Sequence, residues 1–87
     1  MSRIKFLIAA TEQSGVAEAR KRGWTQIAFA RFATPDKDDV RVVRRFSELP
    51  AVPGGPTLIR GEDFGENPEA DKFEALIAEG NGTWVDG

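Results

Sequence analysis

Ile4 to Ala9 constrains this chain more than any other segment. It is a short apolar run broken only by Lys5, and a helix-starting pattern follows it at once. Such a run, closed by a turn signal, reads as a buried strand. Thr11 or Ser14 then caps a helix that runs to Arg22, with Gly23 as its stop. The inward stripe of that helix, Val16, Ala19 and Gly23, is thin and made of small residues, which lets the helix lie close to a sheet. A strand followed by a helix and a further strand favours a right-handed parallel crossover.

The rest of the chain supplies partners for that first strand. Gln26 to Phe32 alternates, with Ile27 and Phe29 on one side and Ala28, Ala30 and Phe32 on the other, and reads as a second strand. Thr34 to Asp39 is a polar turn. Val40 to Phe46 is strand-like and carries Arg41, Arg44 and Arg45, so the two strands are expected to form a hairpin across the turn. Ser47 to Gly55 is a proline-rich surface connection with one helical turn at Phe46 to Leu49, and Thr57 to Arg60 is a short strand. Asn67-Pro68 starts a second helix that buries Ala70, Phe73, Leu76 and Ile77 and stops at Gly80. Thr83 to Val85 is a final edge strand or a docked tail. The expectation is one domain over residues 1–87, of α/β class. It would be a small mixed sheet of three to five strands with two helices packed on it, in the order β-α-β-β-β-α with an optional last β, a reduced Rossmann-like arrangement.

Three blocks carry a resemblance. Phe6-Leu7-Ile8-Ala9-Ala10-Thr11 resembles the start of P-loop-type or Rossmann-type domains. Val42-Val43-Arg44-Arg45-Phe46-Ser47-Glu48-Leu49 and Thr57-Leu58-Ile59-Arg60-Gly61 continue the same layout. In that layout the chain is similar to small, P-loop-less Rossmann-like proteins of actinobacterial bacteriophages. The resemblance implies an accessory phage protein that acts on host components; it includes no diagnostic motif and transfers no site residue.

Composition narrows the chemistry. Cysteine, histidine and tyrosine are absent, which leaves carboxylates, lysines and hydroxyls as the available catalytic side chains. A carboxylate-only enzyme needs two carboxyl groups across a sugar-sized cleft, for which 87 residues offer little material, so no catalytic role is expected. The run Phe6 to Ala10 is too short to cross a bilayer, and the stretch before it is too short for a secretory signal, so the expected residence is cytoplasmic with no membrane partner. Charge is unevenly spread. Residues 1–46 hold ten Lys/Arg and five Asp/Glu, whereas residues 47–87 hold two and nine.

Three constellations follow. Thr11 and Ser14, with Glu62 and Asp63 after the second core strand, outline a candidate phosphate or nucleotide crevice. The loop lacks the glycines and the lysine of a phosphate-wrapping loop. Glu62, Asp63 and Glu66 offer oxygen ligands, but the spacing of a calcium loop is met neither there nor at Asp36 and Asp38. Acidic residues near a helix start have a simpler stabilising role, so no metal and no cofactor are expected. Arg31, Arg41, Arg44 and Arg45, with Trp24 and Phe46 nearby in sequence, form a candidate interaction surface. Arginines beside aromatics suit single-stranded nucleic acid. Against that, Arg20, Lys21 and Arg22 complement a helix end, arginines protect an edge strand, and the pI is only about 5.1. The resulting expectation is a non-enzymatic interaction module that contacts a host or phage protein or a second copy of itself. A nucleotide or phosphate binder at the crevice, or a nucleic-acid binder using the basic hairpin, is the alternative.

Overall fold

The structure is a computed structural model that describes residues 3–85. Six strands and two helices alternate along it: β1 Ile4–Ile8, α1 Glu12–Lys21, β2 Thr25–Ala28, β3 Arg31–Ala33, β4 Asp39–Val43, β5 Thr57–Arg60, α2 Ala70–Ala78 and β6 Thr83–Val85. Single 3-10 turns occupy Phe46–Glu48 and Phe64–Glu66. The strands form one mixed sheet in the order β2-β3-β4-β1-β5-β6.

The apolar run does what its composition demands. β1 is paired in parallel on both edges, with Ile8 opposite Val43 on one side and Arg60 on the other. A strand with two neighbours and apolar residues on both faces needs a layer above and below it. Leu7 packs with Val40, Val42, Ile59 and Phe32 beneath Val16 and Ala19 of α1. Phe6 and Ile8 pack on the opposite face with Val43, Leu58, Phe64 and Phe73 of α2. The fold is therefore α/β, with one helix on each face, and the sheet has one strand more than the upper bound read from the sequence.

Local chemistry fixes the first helix as expected. Thr11 is its N-cap, and Ser14 completes a reciprocal capping box: Ser14 N–H donates to Thr11 Oγ1 (3.1 Å), and Thr11 N–H donates to Ser14 Oγ (3.2 Å). Arg22 is the C-cap, and Gly23 lies just beyond it. Small residues do bring the helix close to the sheet. A Cβ at Gly15 would lie 2.3 Å from Val42 Cγ1.

Two elements depart from the sequence reading. The run Gln26 to Phe32 is two strands, because the chain turns at Phe29-Ala30. Gln26 Nε2 donates to Phe29 O (3.2 Å), and Val42 N–H donates to Ala30 O (2.9 Å). Neither glycine nor proline marks this turn; a side-chain bond and a neighbouring strand hold it. The hairpin across the polar turn does form, between β3 and β4, with Phe32 opposite Val40. The second helix begins at Ala70 rather than after Asn67, which is drawn into the interior. Thr83 to Val85 is an edge strand, parallel to β5.

Glycine to alanine inside a helix normally stabilises by about 0.5–1 kcal/mol. At Gly15 the collision with Val42 should reverse the sign and cost about 1–3 kcal/mol. Urea unfolding of Gly15→Ala, Val42→Ala and the double variant should return a coupling energy that recovers most of that loss. Strict additivity would refute the close contact.

Candidate functional site

β1 leaves the sheet toward α1 on one face, and β5 leaves toward α2 on the other. In open sheets such a reversal marks the usual ligand crevice, at the carboxyl ends of the strands. Here the ends of β1 and β5 are drawn together. Gly61 N–H donates to Ile8 O (2.9 Å), and a Cβ at Gly61 would lie 2.7 Å from that oxygen. Glycine is what allows the two strand ends to stay this close.

The predicted crevice residues are partly gathered. Ser14, Glu62 and Asp63 border one open hollow of about 240 Å3, together with Glu18 and Lys21. Thr11 is not on its wall, and both hydroxyls are engaged locally: Ser14 Oγ donates to Thr11 O (2.9 Å), and Thr11 Oγ1 accepts from Ser14 N–H. Glu62 pairs with Lys21, whose ammonium is pushed above the ordinary lysine range by the hydrogen bond and charge of that carboxylate. Three carboxylates and one ammonium make a poor surroundings for a phosphate. Among the described residues no group of three or more Asp and Glu is placed to hold a metal ion.

Asn67 was legible only as a cap and does far more. It is 4% exposed. Its Nδ2 donates to Ala9 O (2.8 Å) and to Arg44 O (2.9 Å), and its Oδ1 accepts from Glu69 N–H (2.8 Å). One amide thus ties the ends of β1 and β4 to the approach of α2. Glu69 adds a second tie by accepting from Phe46 N–H, which holds its carboxyl below the ordinary range. The asparagine-proline pair is the only sequence signal here, and it points equally well to a helix start.

The arginines fall into two groups. Arg31 and Arg41 stand opposite each other on β3 and β4 and share Asp39, at 2.8 and 3.6 Å. Arg44 and Arg45 lie past the end of β4, beside Ala10 and Pro68. The two aromatics do not join them. Trp24 packs into the α1 layer, with the Arg22 guanidinium 5.4 Å from its ring centre. Phe46 packs into the α2 layer, edge-on to Phe73 at 5.6 Å.

The sequence offers the hairpin edge as a pairing site but not the exposure of Ile27 and Phe29 on it. All four residues of β2 are exposed and none is charged. Ile27 and Phe29 are 57% and 59% exposed, and Ile4 on β1 is 50% exposed. Phe32 faces the α1 layer, so by alternation Arg31, like Arg41 across from it, faces away from α1. Among the described residues, no part of β2 or β3 belongs to the layer under α2. That half of the sheet face is uncovered. No protein-family model, curated protein or solved structure matches the chain.

Replacing Asn67 with alanine strands two carbonyls at the strand ends and should cost about 2–4 kcal/mol in urea unfolding. A change under about 0.5 kcal/mol would show that water serves them equally well. A second expectation concerns acid. Asp38 accepts from Lys5 Nζ (2.8 Å), and this bond lowers its carboxyl, as Phe46 N–H lowers that of Glu69. Both groups have a folded pKa below the unfolded one. Their stabilisation is therefore complete above the unfolded value of about 4 and is lost as pH falls through the lower folded values. The drop in urea midpoint between pH 6 and pH 2.5, roughly the window in which carboxylates titrate, should be smaller in Asp38→Asn and Glu69→Gln than in the parent chain. An identical drop would refute the assignment.

Proposed function

We propose that the chain is a non-enzymatic interaction module that works through its β2–β3 hairpin. One observation supports this reading above all: an exposed, uncharged edge strand next to a sheet face with no helix over it. Solitary proteins protect such edges with charge, proline or a covering element. β2 is short and has a shift of register between Gln26 and Ala28, but no charge, proline or covering element. The opposite edge, β6, is three residues long. Ile27 and Phe29 expose large apolar side chains two residues apart on this hairpin, as contact sites do. At the carboxyl end of the sheet, the hollows beside Ser14 and beside Arg44 are lined by groups already engaged in internal bonds, among them Ser14, Glu62 and Asn67. The partner is a host or phage protein, or a second copy, in keeping with the accessory role that the layout resemblance implies.

A photo-crosslinking residue placed at position 29 tests the reading, with position 71 on the exposed side of α2 as the comparison. Discrete adducts from position 29 that vanish when Ile27→Asn is added are expected. Ile27→Asn by itself should change unfolding stability by no more than about 0.5 kcal/mol. Equal labelling from both positions would remove the hairpin from consideration.

A further inference from the structure

We infer that the free edge of β2 accepts an extended acidic segment of a partner protein, added to the sheet as a seventh strand. This rests on the interaction reading above and specifies its occupant. Strand addition needs an exposed edge whose main-chain groups are free to pair, with side-chain contacts supplying selectivity. β2 meets the first need, and Ile27 and Phe29 offer apolar contacts at its middle and end.

Charge selects the occupant. Arg31 and Arg41 share the single carboxylate of Asp39. Arg31 holds that carboxylate through two hydrogen bonds, and Arg41 reaches it only at the longer distance. On the α1 side, Arg20 spends its guanidinium on the neutral Oε1 of Gln26 in β2 (2.6 Å from Nη2). One carboxylate against two guanidiniums leaves a positive charge in excess on the face away from α1, and among the described residues Arg20 has no carboxylate partner on the other. In the ladder Arg31 stands opposite Ala28, whose small side chain leaves the way across β2 clear. A strand added beyond β2 would lie about 10 Å from β3, two strand spacings away. An arginine and a glutamate together span that gap. Alternating carboxylates on the incoming strand would therefore meet Arg31 on one face or Arg20 on the other.

A second copy fits less well. Two β2 strands paired about a two-fold axis would overlap over about 13 Å at most. Four residues a side is far fewer than the roughly 20–30 a side that a stable interface engages. Such pairing would also bring cations of the same sign toward one another.

The test uses the full chain and two synthetic nine-residue peptides with a neutral fluorophore, one alternating glutamate with valine and one alternating lysine with valine. Fluorescence anisotropy should show the glutamate peptide binding about tenfold or more tightly than the lysine peptide, with several-fold loss as salt rises from about 20 to 200 mM. Amide exchange should show new protection within residues 25–29. Ile27→Asn should abolish binding, Arg31→Gln should remove the preference for glutamate, and Val52→Ser, at an exposed position elsewhere, should change neither. Equal binding of the two peptides, or protection at another element, overturns the inference. If neither peptide binds but the chain dimerises in a manner lost in Ile27→Asn, the acidic occupant is overturned and the interaction reading stands. If there is neither peptide binding nor self-association, and the crosslinks from position 29 are also absent, both fall.

Discussion

β1 is hydrogen-bonded along both edges and apolar on both faces, and this fourfold confinement sets the rest of the structure. Parallel partners on each side force the chain to cross over twice. Two buried faces require a covering layer on each side. α1 meets one requirement at close range, because Gly15 and Ala19 present almost no side chain to the sheet. α2 meets the other, with Phe73 as its fully buried anchor. A nine-residue helix has little stability of its own, so it forms because the sheet holds it there. It is also too short to cover six strands, and the uncovered remainder is the hairpin.

The parts of the fold that depend on local chemistry were legible. The helix cap at Thr11 or Ser14, the stop after Arg22 and the strand at Thr57 to Arg60 each follow from a few neighbouring residues, whereas Thr83 to Val85 reads equally as an edge strand or a docked tail until β5 is beside it. The parts that depend on distant partners were not. The turn at Phe29-Ala30 contains no turn-forming residue and exists because Gln26 and Val42 bond to its carbonyls. Asn67 looks like a cap in sequence, and only the folded chain puts Ala9 O and Arg44 O within its reach.

The candidate sites divide along the same line. In sequence Arg31, Arg41, Arg44 and Arg45 read as one basic hairpin, but register places two of them across a strand pair and the other two beyond its end. Trp24 follows α1 directly and packs in its layer, whereas Phe46 lies past the end of β4 and packs against Phe73 of α2. Exposure of Ile27 and Phe29 had no signature, since an alternating apolar strand reads the same whether or not a helix lies over it. Among the described residues, Lys21 and Glu62 make the one ion pair that joins the basic half of the chain to the acidic half.

The parallel pairing of β1 has a consequence for biosynthesis. The most apolar strand leaves the ribosome first, yet its partners are β4 and β5, which are made some thirty-five and fifty-two residues later. At about 5–20 residues per second, β1 waits several seconds without either neighbour. During that interval α1 can coil and the two hairpin turns can close, because their contacts are local, but the sheet has no centre to assemble on. The nascent chain therefore passes through a stage in which its stickiest segment is bare, and a cell that makes this protein in quantity has reason to shield that segment until translation has passed residue 60.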